Sequence, residues 1–353
     1  MKSKIITFLF VGYIILFGVL GIVFPDKEIS NTERRKLSSI PDFKFSNEYI
    51  EKLDKYLLDH FPFRDEYRSI KAKFNYNILG KLDNNGIYLK DNYIYKSIYP
   101  IDIKSIDNFI DKTNKVSQIF SNNNIYIMII PDKNYYLNSD NFLRIDYDYL
   151  YDRINELEFH NIDIRDIMMM DDYYETDNHF RQERLDKVVR RMSMEMGFNY
   201  YNIDYKENIY NKFYGVYYGE SAINREPEEL VYLTSDIFND VEVKYLENKD
   251  LTSIYNLDKL EEMDAYEVYL DGASAFIEIY NNKSSSDKEL IIFRDSFGSS
   301  LTPLLVPYYK KITLIDNRYI SSNNYLSLIE NNNQDVLFMY STLIVNNSSS
   351  LKG

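Results

Sequence analysis

Along the chain the spacing of apolar residues changes several times, and each change marks an element. Residues 5–24 pass without a charge, a stretch of the length that spans a hydrocarbon core of about 30 Å. Residues 26–44 carry Pro41 and many charges without a period and read as a stalk. Over 47–79 the spacing turns helical. Ile50, Leu53, Leu57 and Phe61 share one face, and after Pro62 the residues Tyr67, Ile70 and Phe74 resume one. Gly80 ends that run, and Asp83-Asn84-Asn85-Gly86 predicts a turn before the strand-like runs 87–89 and 93–95.

Amphipathic stretches then alternate with short, wholly apolar runs. Helices are predicted over 106–120, 149–159, 181–196 and 300–309 and near 325–330, with Leu185, Val188, Val189 and Met192 sharing a face of the third. The apolar runs 125–130, 162–164, 290–293, 312–315 and 336–340 predict five buried strands. Such runs separated by helices point to a parallel sheet covered on both faces, where function lies beyond the carboxyl ends of the strands. Residues 198–285 interrupt the rhythm with Tyr-rich, alternating runs at 230–233, 241–245, 265–270 and 276–280. They read as a mostly antiparallel insertion that either shapes a substrate groove or extends the sheet. Residues 346–353 are small and polar and read as a loose end.

Composition changes this picture in three places. A net charge of −14 and no basic stripe argue against a nucleic-acid partner. The absence of cysteine removes thiol catalysis, disulfides and thiolate metal sites, and suits an exported protein. Thirty-five Tyr and 21 Phe with no Trp reflect either codon bias or aromatic faces for sugar binding. The apolar span follows Lys2 and Lys4. It is longer than the ~7–15 residues of a signal-peptide core, and Val23, Phe24 and Pro25 replace a small-residue cleavage site. We expect an uncleaved anchor with everything after Phe24 outside, although Arg34, Arg35 and Lys36 weaken the charge asymmetry.

Only three histidines occur. His179 follows Asp177 by two residues, so in an extended segment both side chains share a face. A serine hydroxyl needs a base to take its proton, and the imidazolium formed needs a carboxylate to orient it. Ser296 follows the apolar run 290–293 by three residues and precedes Phe297-Gly298 and a helical stretch. There its own amide is a first oxyanion donor, and Gly298 lets backbone approach an acyl oxygen; a second donor has no candidate. Taken singly, Asp177-x-His179 also reads as a surface pair and Asp295-Ser296-x-Gly298 as a helix cap. His60 reads as a capping or packing residue, and His160 lies at the amino end of the sheet. Asp171, Asp172, Asp177 and His179 offer ligands to a cation, but without a second histidine or compact spacing no metal is expected. No P-loop or dinucleotide fingerprint appears, so no cofactor is expected either.

Several blocks together resemble the DHHW family and the wider group of alginate-acetylation proteins with SGNH-hydrolase-like domains. These are the apolar span, Glu33-Arg34-Arg35-Lys36-Leu37, Asp59-His60-Phe61-Pro62-Phe63-Arg64, Thr176-Asp177-Asn178-His179-Phe180, Asp295-Ser296-Phe297-Gly298 and Ile315-Asp316-Asn317-Arg318-Tyr319. Asn178 and Phe180 stand where that family has His and Trp. The resemblance implies a three-layer α/β/α SGNH-hydrolase-like domain with about five parallel strands, a β-rich insertion and one N-terminal transmembrane helix. The expected organisation is an anchor over 1–25, a stalk and helical region over 26–80, and a catalytic domain over 81–353 with the insertion at about 198–285. It further implies acetyl transfer to an extracellular polysaccharide, with Ser296, His179 and Asp177 as the triad and a membrane-bound O-acyltransferase as acetyl-donor partner. Arg318 either holds an acetyl or carboxyl group or pairs with a carboxylate of the protein. Acetyl-ester hydrolysis by the same triad, and glycan binding without turnover, remain as alternatives.

Overall fold

The computed structural model describes residues 2–30, 32–33, 35–137, 142–331 and 333–352, without the side chains of Lys2 and Ser3; of the residues read above, Met1, Arg34, Gly353 and the side chain of Lys2 lie outside the described residues. The chain divides into two compact units, Met1–Asn85 with Tyr218–Arg225, and Gly86–Tyr217 with Glu226–Gly353.

In the first unit, helix α1 (Lys2–Val23) is long and apolar enough, over Lys4–Val23, to cross a membrane or serve as a signal sequence. Helix α2 (Asn47–Asp59) starts where Ser46 Oγ accepts the Tyr49 amide at 3.1 Å. It ends on His60, whose Nε2 meets the Ser38 carbonyl at 2.8 Å. Helix α3 (Arg64–Lys73) follows Pro62, with Asp65 and Glu66 in its first turn and Lys71 and Lys73 in its last, each sign complementing the helix dipole. Part of the segment read as a stalk is tied down. Asp59 accepts from Arg35 Nη2 at 2.5 Å and from the Ser38 amide and hydroxyl, both at 2.9 Å. The Arg35 guanidinium holds the Asp59 carboxyl well below the usual carboxylate range.

The second unit holds a hairpin, β1 (Ile87–Lys90) and β2 (Tyr93–Lys96), then helix α4 (Ile103–Ser117), β3 (Ile125–Ile130), α5 (Tyr147–Ile154), β4 (His160–Asn161) and α6 (Asp186–Met196). Next come β5 (Lys206–Phe213), β6 (Glu228–Thr234), β7 (Val241–Tyr245) and β8 (Phe276–Asn281). The last part is β9 (Glu289–Arg294), α7 (Phe297–Leu305), β10 (Lys311–Ile315), α8 (Ser322–Tyr325), β11 (Asp335–Ser341) and α9 (Thr342–Val345). Seven strands form one mixed sheet in the order β7-β8-β10-β9-β11-β3-β4. The five from β10 to β4 are parallel, and β8 and β7 continue the sheet antiparallel. Alternate residues of each apolar run enter different cores. Met128, Ile292 and Leu337 pack with Val188, Met192 and Leu301, whereas Ile129, Phe293 and Phe338 pack with Ile106, Phe109 and Leu150. A wholly apolar strand is thereby buried on both sides.

The insertion serves two ends, since β7 and β8 extend the sheet while β5 and β6 pair separately as a hairpin. Four expectations change. Residues 265–270 are not a strand: Ala265–Val268 form a 3₁₀ turn because Asp264 accepts the Tyr266 amide at 3.1 Å. The edge strand is His160–Asn161 rather than 162–164, and the helix near 325–330 is one turn at Ser322–Tyr325. The terminal serines are not loose. Ser348 is buried; its amide donates to the Ser105 hydroxyl oxygen at 2.6 Å and its hydroxyl donates to the Ser105 carbonyl at 2.7 Å.

Burial drives the hydroxyls of Tyr147, Tyr151, Tyr173, Tyr269, Tyr309 and Tyr340 well above the usual tyrosine range. Each keeps its proton in the fold but loses it at about pH 10 when unfolded. Stability therefore stays level below the unfolded value and falls as pH rises through it, by at most ~1.4 kcal/mol per pH unit for each such tyrosine. Urea unfolding at pH 8 and pH 11 checks this; equal midpoints would contradict it.

Candidate active site

The serine sits where β9 becomes α7. Strand β9 is central and lies parallel to both neighbours, with Phe293 opposite Ile315 and Phe338. Asp295 holds the turn that follows. Its Oδ1 accepts the Phe297 amide at 3.0 Å and its Oδ2 the Ser341 amide, at the end of β11, at 2.8 Å. Arg294 is fully buried and braces the same turn, with Nη1 on Ser299 Oγ at 2.7 Å and Nη2 on the Gly272 carbonyl at 3.3 Å. Burial pulls its guanidinium below the usual arginine range, opposed by the charge of Asp316. Gly298 is closely packed on its own side of the turn. A Cβ there would lie 2.8 Å from Met339 Cε and 2.9 Å from Arg294 Cβ, so the missing side chain makes room for the protein itself. The Gly298 and Ser299 amides bond back to Asp295 and Ser296 carbonyls at 3.1 Å. The Ser296 amide has no hydrogen-bond partner among the described residues.

The Asp-x-His segment is a tight hairpin closed by bridging of Tyr173 with Phe180 and by the Tyr174 amide on the His179 carbonyl at 3.1 Å. Glu228, the first residue of β6, accepts the Glu175 amide at 2.6 Å, the Thr176 amide at 2.7 Å and the Thr176 hydroxyl at 2.5 Å. Lys133 is buried and gives its ammonium to the Tyr174 and Glu175 carbonyls at 3.0 and 3.1 Å. Asp177 is fully buried; its Oδ2 takes the Val216 amide at 2.8 Å, and its Oδ1 meets His179 Nδ1 at 2.6 Å. His179 Nε2 lies 2.7 Å from Ser296 Oγ, which is half-buried. A carboxylate can only accept, so Nδ1 carries the ring proton and Nε2 presents its lone pair to the serine. The structure thus brings Asp177, His179 and Ser296 into one hydrogen-bonded line.

Arg318 is in a different relationship. It is a bidentate partner of Asp316, with Nε on Oδ1 at 2.9 Å and Nη2 on Oδ2 at 2.6 Å. Against the pull of burial, that carboxylate raises the guanidinium above its usual range. Asp172 is paired with Lys187 at 2.5 Å and Asp171 accepts from Tyr93 at 3.3 Å; among the described residues no group of three or more His, Cys, Asp and Glu is placed to hold a metal ion. His60 caps α2, and His160 lies in the edge strand β4.

Several contributors, Lys133 among them, had no strong signal in the chain. Tyr266, from the 3₁₀ turn of the insertion, stacks on the His179 ring with centroids 3.9 Å apart and planes 7° from parallel, and its hydroxyl meets Ser300 Oγ at 2.8 Å. Glu228 is one of many surface-type acids by sequence, and Tyr266 one of thirty-five tyrosines. Gly215 was legible only as a glycine. Its amide reaches Thr176 Oγ1 at 2.8 Å, and a Cβ would lie 2.2 Å from the Thr176 carbonyl.

No protein-family model matches the chain, and no curated protein matches it. Among solved structures, a DHHW family protein from Eubacterium siraeum DSM 15702 is similar with a TM-score of 0.65 and 18% identity, over 77% of this chain and 97% of that one. Bacillus cereus PatB1 is similar with a TM-score of 0.59 and 20% identity, over 74% and 97%. PatB1 with a sulfonyl adduct is similar with a TM-score of 0.59 and 18% identity, over 73% and 97%. These likenesses show a shared fold.

Because a Cβ at Gly215 would overlap the Thr176 backbone, Gly215→Ala should shift the Asp177 hairpin relative to Ser296. A displacement of about 1 Å is enough to cost ~10²-fold in rate. Acylation of Ser296 by an activated ester, with circular dichroism as the fold control, measures it; an unchanged rate in a folded variant would mean that this contact does not position the pair.

Proposed function

We propose that the protein is a membrane-anchored, extracytoplasmic O-acetyltransferase that moves acetyl groups to hydroxyls of an exopolysaccharide or cell-wall glycan. The observation that carries this reading is the 2.7 Å contact of His179 Nε2 with Ser296 Oγ, with Asp177 2.6 Å from Nδ1. On this reading residues 1–25 are the anchor, 26–80 the membrane-proximal region, and 81–353 a three-layer α/β/α SGNH-hydrolase-like domain with its insertion at about 198–285. A membrane-bound O-acyltransferase supplies the acetyl donor.

Ser296 Oγ attacks the acetyl carbonyl carbon while His179 Nε2 takes the hydroxyl proton, and Asp177 holds the imidazolium. The amide of Ser296, at the amino end of α7, faces the developing oxyanion. Collapse of the adduct returns the proton from His179 to the leaving group and leaves acetyl-Ser296. A glycan hydroxyl then gives its proton to His179 and attacks the acetyl carbon, and the serine oxygen leaves with that proton. PatB1, with its sulfonyl adduct, is the neighbour whose chemistry points the same way, because sulfonyl groups are captured by activated nucleophiles. Arg318, engaged with Asp316, serves this reading as a structural partner of that carboxylate.

Exposing the full chain in detergent to an activated acetyl ester should add one acetyl group on Ser296 by mass spectrometry. The adduct should vanish in Ser296→Ala, and His179→Ala should form it ~10²–10⁴-fold more slowly. Glycan oligomers should then clear it faster than water does. A folded protein that forms no adduct overturns the enzyme reading, and clearance by water alone turns it into an esterase.

A further inference from the structure

We propose that the apolar faces of α2, α3 and the turn after α3 are seated in the headgroup–acyl boundary of a lipid bilayer, making a second membrane contact beside α1. This rests on reading α1 as the anchor.

Large apolar side chains are exposed at fourteen positions from Ile40 to Leu82, against twelve among the described residues that follow Leu82. Ile70 is 61% exposed and Ile78 70%. Exposed apolar residues scattered singly are ordinary on a soluble surface, whereas a continuous patch marks something that covers it. The exposed positions follow helical spacing rather than scattering singly: Tyr67 and Ile70 of α3 share a face with Phe74 in the turn after it, and Ile50 and Leu57 share one of α2.

The depth of the patch identifies the cover. Phe61 stacks on Phe17 of α1, with ring centroids 5.4 Å apart and planes 5° from parallel, and Phe63 packs edge-on to Phe24 at 5.4 Å. Phe17 lies about 9 Å below the carboxyl end of α1 at ~1.5 Å per residue. Amphipathic helices at a bilayer surface bury their apolar face by about 5–10 Å, the same depth. Between α1 and α2 lies a cleft of about 900 Å³ lined by Phe17, Ile22, Leu53 and Leu57. At that depth hydrocarbon, not water, borders it. Charge agrees: residues 26–82 carry twelve Lys and Arg against ten Asp and Glu, in a chain whose net charge is −14. The part nearest the anchor is therefore the part an anionic surface repels least.

Because the chain has no cysteine, single Cys substitutions can carry a nitroxide without background. The full chain in phosphatidylcholine–phosphatidylglycerol vesicles, labelled at Ile15→Cys, Leu57→Cys, Ile70→Cys or Lys55→Cys, is read by collision with oxygen and with a water-soluble nickel chelate. The ratio of oxygen to nickel collision at Leu57 and Ile70 should exceed that at Lys55, on the opposite side of α2, severalfold and approach that at Ile15 in the anchor. Leu57 and Ile70 matching Lys55 while Ile15 stays in lipid would overturn this inference and leave the anchor intact. Shielding of both positions from both reagents would overturn it in favour of a protein covering the face. An Ile15 label open to the nickel chelate would overturn the anchor itself.

Discussion

The hydrogen-bonding capacity of the backbone at residues 174–177 governs the rest of the site. That segment is largely buried, and a buried amide or carbonyl without a partner costs as much as a lost hydrogen bond. Two side chains from distant parts of the chain discharge most of the obligation. The Glu228 carboxylate accepts two consecutive amides and a hydroxyl, and the Lys133 ammonium donates to two consecutive carbonyls. Opposite charges thus grip opposite polarities of one short stretch. Charge-assisted bonds of this kind are shorter and stronger than neutral ones, which is how a hairpin with no regular structure of its own becomes a rigid platform for Asp177.

Once the platform is set, the orientation of the imidazole has little freedom. One Asp177 oxygen is taken by the Val216 amide, so the other addresses Nδ1. The ring is then sandwiched, with Tyr266 parallel to one face and Phe297 tilted at 4.9 Å. Burial drives the Tyr266 hydroxyl well above the usual tyrosine range, so the ring against His179 carries no charge at neutral pH. On the proposed reading, its π face would support an imidazolium at His179 without competing with Asp177. The serine side is built by a separate device, in which Asp295 ties the start of α7 to the end of β11.

These two halves differ in how far the sequence announces them. Strands of a doubly covered sheet are wholly apolar, so the runs that became β3, β9, β10 and β11 could be read directly, and with them the position of Ser296 at a carboxyl end. The Asp-x-His pair was equally visible, because histidine is scarce in this chain. What could not be read is long-range satisfaction of polar groups. Glu228 and Lys133 act on backbone atoms more than 40 residues away, and no spacing rule links a carboxylate to the amides it will meet. The run 265–270 failed for a local reason. Its alternation imitates a strand, but Asp264 offers the Tyr266 amide a closer acceptor than any neighbouring strand would. The terminal serines misled in the same direction, since small polar residues look solvated until a partner such as Ser105 is supplied by the fold.

The departure at residue 180 shows how the two halves are registered. Phe180 stands where the resembling family has tryptophan, and it is fully buried. A buried indole would need an acceptor for its N–H, whereas a phenyl ring needs none. Here the ring meets Phe297 edge-on, with centroids 5.0 Å apart. Phe297 directly follows the serine, and Phe180 directly follows the histidine. This contact joins the residue after His179 to the residue after Ser296, beside the direct packing of Phe297 on the His179 ring. The smaller ring makes that contact without importing a polar atom that the core would have to satisfy.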